Sequence, residues 1–164
     1  MVLETARLVL RSVLAEDAHP LAQLWSDADV TRFVGGPRDY ETVVQAVLRE
    51  AACQPPEPVT RWSAVLRDGN EVVGDCGLLE KVIDGRDEIE LVYFFDKRFW
   101  GRGLATEAAR MVLEHALTDR KLSRVVALID PANIASERVA QKIGLMFERE
   151  IMRSGHLKKL YAAG

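Results

Sequence analysis

The sequence predicts an α/β domain built on one mixed sheet with helices on both of its faces. Three features carry that prediction. Short apolar runs alternate along the chain with longer segments of helical period. Turns containing glycine or aspartate bound most of them. One run, Val125-Val126-Ala127-Leu128-Ile129, has no polar residue at all, as a strand covered on both faces requires. With 164 residues, 48% of them apolar, the chain is expected to form one domain, residues 1–164. That domain buries enough surface to offset the entropy of ordering.

Arg7-Leu8-Val9-Leu10-Arg11 is an apolar run between charges and reads as the first strand. Glu16 and Asp17 then open a helix, acidic residues in a first turn where the macrodipole favours them. Leu21, Leu24 and Trp25 give this helix its apolar face. After the turn Gly35-Gly36-Pro37, residues Tyr40, Val43, Val44, Val47, Leu48 and Ala51 recur at helical spacing behind Asp39, the expected N-cap. Gln54-Pro55-Pro56-Glu57-Pro58 is a loop. Trp62 to Arg67 and Glu71 to Leu79 flank Asp68-Gly69-Asn70 and read as a hairpin.

Asp84-Gly85-Arg86-Asp87 turns into the strand Glu88 to Phe95. There Ile89, Leu91, Tyr93 and Phe95 share one face, and Glu88, Glu90, Val92 and Phe94 the other. Leu104 to Leu117 is an amphipathic helix, and Asn133 to Ile143 a second one closed by Gly144. Phe147 to Met152 and Leu157 to Tyr161 form a terminal hairpin whose edge Lys158 and Lys159 are expected to protect. The predicted order is β-α-α-β-β-β-α-β-α-β-β.

Composition excludes several functions. The net charge of −3 lacks the basic surplus that a nucleic-acid partner calls for. No apolar run approaches the ~18 residues of a membrane span. The opening Met1-Val2-Leu3-Glu4-Thr5-Ala6-Arg7 shows neither a basic leader nor a cleavage pattern. A cytoplasmic protein with no membrane partner is expected, its Cys53 and Cys76 reduced. His19, His115 and His156 are scattered without ligand spacing, so no metal site is expected.

The chemistry is concentrated in Asp96-Lys97-Arg98-Phe99-Trp100-Gly101-Arg102-Gly103-Leu104-Ala105-Thr106-Glu107, which joins an apolar strand to an amphipathic helix. At a helix start the first amides have no partner and the dipole adds positive charge. Glycines let the backbone close on a phosphate, and Lys97, Arg98 and Arg102 add cations. The stretch therefore reads as an anion site, with a solvated Gly-rich turn as the other reading. Neither the Walker pattern nor the dinucleotide G-x-G-x-x-G fits, since Thr106 stands where the third glycine would be.

Arg98, Gly101 and Gly103 match the Q/R-x-x-G-x-G/A motif. With Thr5-Ala6-Arg7-Leu8-Val9-Leu10-Arg11, Asn133-Ile134-Ala135-Ser136 and Lys142-Ile143-Gly144-Leu145, they make the chain resemble the GNAT superfamily of acetyl-CoA-dependent N-acetyltransferases. The stretch Trp100-Gly101-Arg102-Gly103-Leu104-Ala105-Thr106-Glu107-Ala108 is similar to the form seen in its Rim-type branch, which contains the ribosomal-protein N-terminal acetyltransferases and many other relatives. The resemblance covers essentially the whole chain. It implies that backbone groups of Tyr93, Phe94 and Phe95 hold the pantetheine amides. It also implies that the loop from Arg98 through Gly101, Arg102, Gly103, Leu104, Ala105 and Thr106 holds the pyrophosphate, with Asn133 reaching the pantetheine from the far wall. Asn133 reads equally as the N-cap of its own helix. Strands 88–95 and 125–130, splayed apart, would leave the cleft between them.

Transfer to an amine needs a base, and Glu90, which shares its face with Glu88, is the preferred candidate. An exposed strand glutamate would show the same pattern. Many members of the superfamily carry a tyrosine acid seven residues after the asparagine. Here Ala140 stands there, which leaves Ser136 as the hydrogen-bond donor that the resemblance places near the sulfur. A thiolate leaving group needs little acid assistance. The expected function is transfer of an acetyl group to a primary amine, a protein N-terminus or a small molecule, by a monomer or homodimer. The competing reading is a non-catalytic acyl-CoA-binding module of the same fold.

Overall fold

The computed structural model describes residues 2–53 and 61–164; the loop expected over Gln54 to Pro58 lies outside them. The chain opens with a hairpin where the sequence reading has one strand. Strands β1 (Val2–Glu4) and β2 (Leu8–Ser12) pair antiparallel. Thr5 closes the turn, its hydroxyl accepting from the Leu8 amide at 2.9 Å. A 3-10 turn at Ala15–Asp17 leads into helix α1 (Ala18–Ser26), then come the single turn α2 (Ala28–Thr31) and α3 (Tyr40–Ala52). Asp39 caps α3 as expected, its side chain accepting from the Thr42 amide.

Strands β3 (Arg61–Leu66), β4 (Val72–Ile83) and β5 (Arg86–Phe95) follow as a meander. Helix α4 (Leu104–Glu114) continues into a π turn at His115–Asp119. Strand β6 (Val125–Ile129), helix α5 (Ile134–Ile143) and strands β7 (Met146–Arg153) and β8 (His156–Ala163) complete the chain. Gly144 ends α5 at φ +97°, the left-handed conformation that a side chain resists. The helix read as opening at Glu16 and Asp17 begins there as the 3-10 turn, while the single turn at 28–31 is too short to show a period.

The sheet order is β1-β2-β3-β4-β5-β6-β8-β7. Among the described residues only the β5–β6 pair is parallel, and its single register pair is Glu90 with Val126. Alternation along β5 divides the core as its sequence requires. Leu91 and Phe95 pack with Leu8, Leu10, Trp62, Leu78 and α4 residues Ala108, Ala109 and Val112. Phe94, on the opposite face, joins Val13, Leu21, Trp25, Val44 and Val47 beneath α1 and α3. Ile83, at the tip of the β4–β5 hairpin, packs on Val126, Ile151 and Leu160, so the hairpin leans over the C-terminal strands.

The outer edge differs from expectation. β8 lies between β6 and β7, so Lys158 and Lys159 sit inside the sheet and protect no edge. Lys158 Nζ instead donates to the Phe33 carbonyl, and Lys159 Nζ to Glu137. The edge strand is β7, whose Arg149 pairs with Asp84. Cys53 and Cys76 are free thiols. Among the described residues no helix is long and apolar enough to cross a membrane.

Asp17 does more than complement a dipole. It is fully buried and binds the Arg11 guanidinium at 2.7 and 2.9 Å, the Ser63 hydroxyl at 2.7 Å and the Leu14 amide at 2.9 Å. It thereby ties the start of α1 to β2 and β3. Burial pushes its carboxyl up, but hydrogen bonds from Arg11, Ser63 and Leu14 outweigh burial and hold it below the usual range. Asp17→Ala strips a buried partner from Arg11 and should cost about 3–5 kcal/mol in chemical denaturation. Because the folded carboxyl is depressed, Asp17's contribution is complete above the unfolded value of ~3.9. It is lost as pH falls through the depressed folded value. The difference between wild type and variant should accordingly shrink in acid.

Candidate active site

The parallel joint between β5 and β6 creates the cleft. β5 is paired with β4 along its whole length, with Tyr93 opposite Cys76, Phe94 opposite Asp75 and Phe95 opposite Gly74. Toward β6 it pairs only at Glu90, so beyond that residue the strands diverge and the β6-facing backbone groups of β5 have no strand partner. Phe95 is an exception, because its carbonyl accepts from the Trp100 indole at 2.7 Å. Gly74 sets how closely β4 supports this segment. A Cβ there would lie 2.3 Å from the Phe94 carbonyl oxygen and 2.9 Å from the Phe95 ring.

The anion loop follows directly. Asp96 caps a 3-10 turn at Lys97–Phe99, and Gly101 and Gly103 adopt φ of +75° and +78°. Gly103 caps α4 with no side chain, and the first helical bond runs from the Glu107 amide to its carbonyl. The amides of Leu104, Ala105 and Thr106 consequently have no helical partner and point out of the helix start. Two of the three cations read from the sequence are engaged elsewhere. Lys97 binds Asp27 and Asp29 at 3.1 and 3.0 Å, and Arg98 binds Asp96 and Glu71 at 2.8 and 3.1 Å. Arg102 stacks on Phe99, 5.2 Å from the ring centre, and has no carboxylate partner among the described residues.

The opening hairpin clamps this loop. Arg7 donates to the Arg102 carbonyl at 2.8 Å and to Glu107 through its backbone amide and Nε, while the Thr5 hydroxyl binds the same carboxylate. Burial raises the Glu107 carboxyl, but these bonds prevail and hold it below the ordinary range. Thr5-Ala6-Arg7 thus has a structural reason to accompany the glycines.

On the far wall, Asn133 is the N-cap of α5, its side-chain oxygen accepting from the Ser136 amide at 3.1 Å. Its amide nitrogen makes no hydrogen bond among the described residues. Ser136 Oγ lies 3.0 Å from the Tyr93 hydroxyl, which donates to the Ser136 carbonyl at 2.9 Å. Burial pushes the Tyr93 phenol up to about 12. Glu137, one residue on, receives bonds from Lys159 and Tyr161 that fix the first turn of α5 against β8.

Glu88 and Glu90 share a face, and the structure separates them. Glu88 is bound by Arg124 at 3.1 Å. Glu90 is partly buried at the fork and forms no ion pair among the described residues. Burial raises its carboxyl above the usual glutamate value despite Lys81, Arg153, the Leu128 amide and Lys158, which oppose the shift. Beyond it on the same face, Phe94 tilts against Trp25 at 4.3 Å. Buried Asp75 accepts from the Trp25 indole at 3.1 Å and from Arg61. The sequence reading placed no role on Gly74, Asp75 or Glu107. A glycine inside a strand pattern was the one available signal, since it marks a close backbone approach. Among the described residues no cluster of His, Cys, Asp and Glu is arranged to hold a metal.

Known proteins resemble this chain in sequence or in fold. YkkB of Bacillus subtilis is 34% identical over 152 residues, covering 92% of this chain and 88% of its own. The N-acetyltransferase p20 of Bacillus licheniformis is 30% identical over 157 residues, covering 90% and 83%. Among solved structures, aminoglycoside acetyltransferase AAC(6')-Ib in complex with coenzyme A superposes with a TM-score of 0.75 at 17% identity, covering 95% of this chain and 94% of that one. The acetyltransferase (GNAT) domain family matches residues 7–146, from the arginine that clamps the loop to the first residue of β7, and the chain belongs to that family of acetyltransferases.

Proposed function

We propose that the protein moves the acetyl group of acetyl-CoA to a primary amine by direct attack in a ternary complex, with Glu90 as the base. The observation that carries this reading is the fork at Glu90 and Val126, where an unpaired carboxylate meets the open end of the cleft. The β6-facing backbone of β5 at Tyr93, with Asn133 opposite, suits the pantetheine arm, whereas Phe94 turns its backbone to β4. Unpartnered amides at the start of α4 suit the pyrophosphate. That AAC(6')-Ib was solved with coenzyme A supports the choice of donor.

The amine nitrogen attacks the thioester carbonyl as the C–N bond forms. Its proton passes to Glu90, directly or through one water, and the C–S bond breaks to release the thiolate. A raised carboxyl suits this task, because a base works best when its pKa approaches the operating pH. The acceptor is a small amine or a protein N-terminus, and the chain acts as one domain, monomeric or dimeric, in the cytoplasm.

Release of free thiol from acetyl-CoA across an amine panel tests the reaction; an absence of release with every amine would overturn it. Gly103→Glu places a negative side chain at the helix start, on a residue with φ +78°. It should abolish acetyl-CoA binding in calorimetry while the protein stays folded. Gly74→Ala drives a methyl into the Phe94 carbonyl and should weaken the same binding through the pantetheine arm.

Glu90→Gln should lower turnover by ~10²–10⁴ at neutral pH with acetyl-CoA affinity unchanged. It should also stabilise the fold. A carboxyl raised by folding binds its proton more tightly in the native state, so stability falls as pH climbs from ~4.3 through the raised value, then levels off. Removing the charge removes that loss, and the variant should melt higher than wild type at pH 8 but not at pH 4. Wild-type turnover in Glu90→Gln would assign the proton to another group.

A further inference from the structure

The loop joining α2 to α3 is anchored at both ends. Lys158 of β8 donates to the Phe33 carbonyl at 3.1 Å, and the Arg38 amide donates to the Trp25 carbonyl at 2.9 Å. The Arg38 guanidinium lies 4.2 Å from the Trp25 ring, and Trp25 packs on Phe94, which shares the β5 face with Glu90. The loop therefore spans from the C-terminal strands to the upper end of β5, over the side on which Glu90 stands.

That side carries several cations without a carboxylate partner, in a chain whose net charge is −3. Asp75 is engaged by Arg61, and Asp130 lies 3.5 Å from Lys158. Lys81 stands opposite Glu88 on β4 and hence diagonal to Glu90. Arg153 is held on the Val82 carbonyl at 2.9 Å, and Arg32 stacks on Phe33 at 5.2 Å. Among the described residues Arg32, Arg38, Lys81 and Arg153 have no carboxylate within salt-bridge reach. Arg38 is exposed, and stacking on Trp25 fixes its plane while leaving its N–H edge available.

We infer that the acceptor is an amine carrying an anionic group, a carboxylate or a phosphate, and that Arg38 binds that group across the cleft from Glu90. This rests on the acetyl-transfer reading and narrows its acceptor. A polycation would bring like charge against this wall, whereas an anion meets a planar donor fork that is already oriented.

Matched amines differing by one anion test the inference. Glucosamine 6-phosphate is compared with glucosamine, and phenylalanine with phenylalaninamide, alongside spermidine and kanamycin. Dissociation constants on the coenzyme-A-loaded protein and kcat/KM from thiol release are both measured. The anionic member should be favoured about tenfold in at least one pair at low salt, with the advantage shrinking as ionic strength rises. The pair that responds identifies phosphate or carboxylate. Arg38→Gln should bring the favoured amine down to its neutral counterpart, mainly through KM, without loss of acetyl-CoA affinity.

Equal binding within both pairs, a preference for spermidine or kanamycin, or an Arg38→Gln variant with the preference intact would overturn the inference. Loss of acetyl-CoA affinity in Arg38→Gln would do the same by placing the arginine on the donor. Turnover without charge preference defeats this inference alone. Charge-selective binding without turnover supports it and defeats the acetyl-transfer reading.

Discussion

Parallel strands need pairing to stay in one sheet, yet a ligand between them needs that pairing broken. Here β5 and β6 meet that conflict with one register pair, Glu90 opposite Val126. On either side of this joint the sheet is conventional and antiparallel, with β5 held by β4 and β6 held by β8. The fork can stay open because its walls are supported from behind. α4 packs against the β2–β5 half through Ala108, Ala109 and Val112, whose small or branched side chains bring the helix close. Close approach also fixes where α4 begins, and hence where its unpartnered amides point.

The opening hairpin makes that placement firmer. Arg7 and Thr5 reach residues far along the chain, and both converge on Glu107, in the first turn of α4. A glutamate there complements the dipole in the bare helix. With its oxygens turned to Thr5 and Arg7, it also anchors the loop from outside, so the glycines supply freedom of φ without supplying mobility. Arg98 is bound to Asp96 and Glu71 and adds to the same rigidity. The family motif's basic position thus acts on the loop's shape here.

Much of the architecture was legible because period and burial agree. The alternation of Ile89, Leu91, Tyr93 and Phe95 against Glu90 and Phe94 correctly divides the two faces of β5, and Asp39 and Gly144 mark helix ends by local chemistry alone. Strand order was harder. Whether β8 or β7 lies outermost depends on which strand pairs with β6, a long-range choice that no local pattern records. The role of Lys158 and Lys159 was misread for that reason. Charged residues carry the same limit. Glu88 and Glu90 are indistinguishable in sequence, and only the position of Arg124 neutralises one and leaves the other unpaired.

The departure at Ala140 has a physical counterpart across the cleft. Ala140 is fully buried, and one turn before it Ser136 meets the Tyr93 hydroxyl from β5. A phenol thus stands beside α5, brought by a strand and not by the helix itself. Its chemistry is nonetheless different from that of an acid. With the phenol pushed up to about 12, proton transfer to a thiolate of pKa ~8.5 runs uphill by more than three units. Both hydroxyl protons are also already engaged, that of Ser136 on Tyr93 and that of Tyr93 on the Ser136 carbonyl. A thiolate is a fair leaving group and needs little such assistance. The greater demand falls on the amine, which must lose a proton as it attacks. The site is asymmetric in the same sense, with a raised carboxylate that forms no ion pair among the described residues at the β5–β6 fork and a closed pair of hydroxyls between β5 and α5.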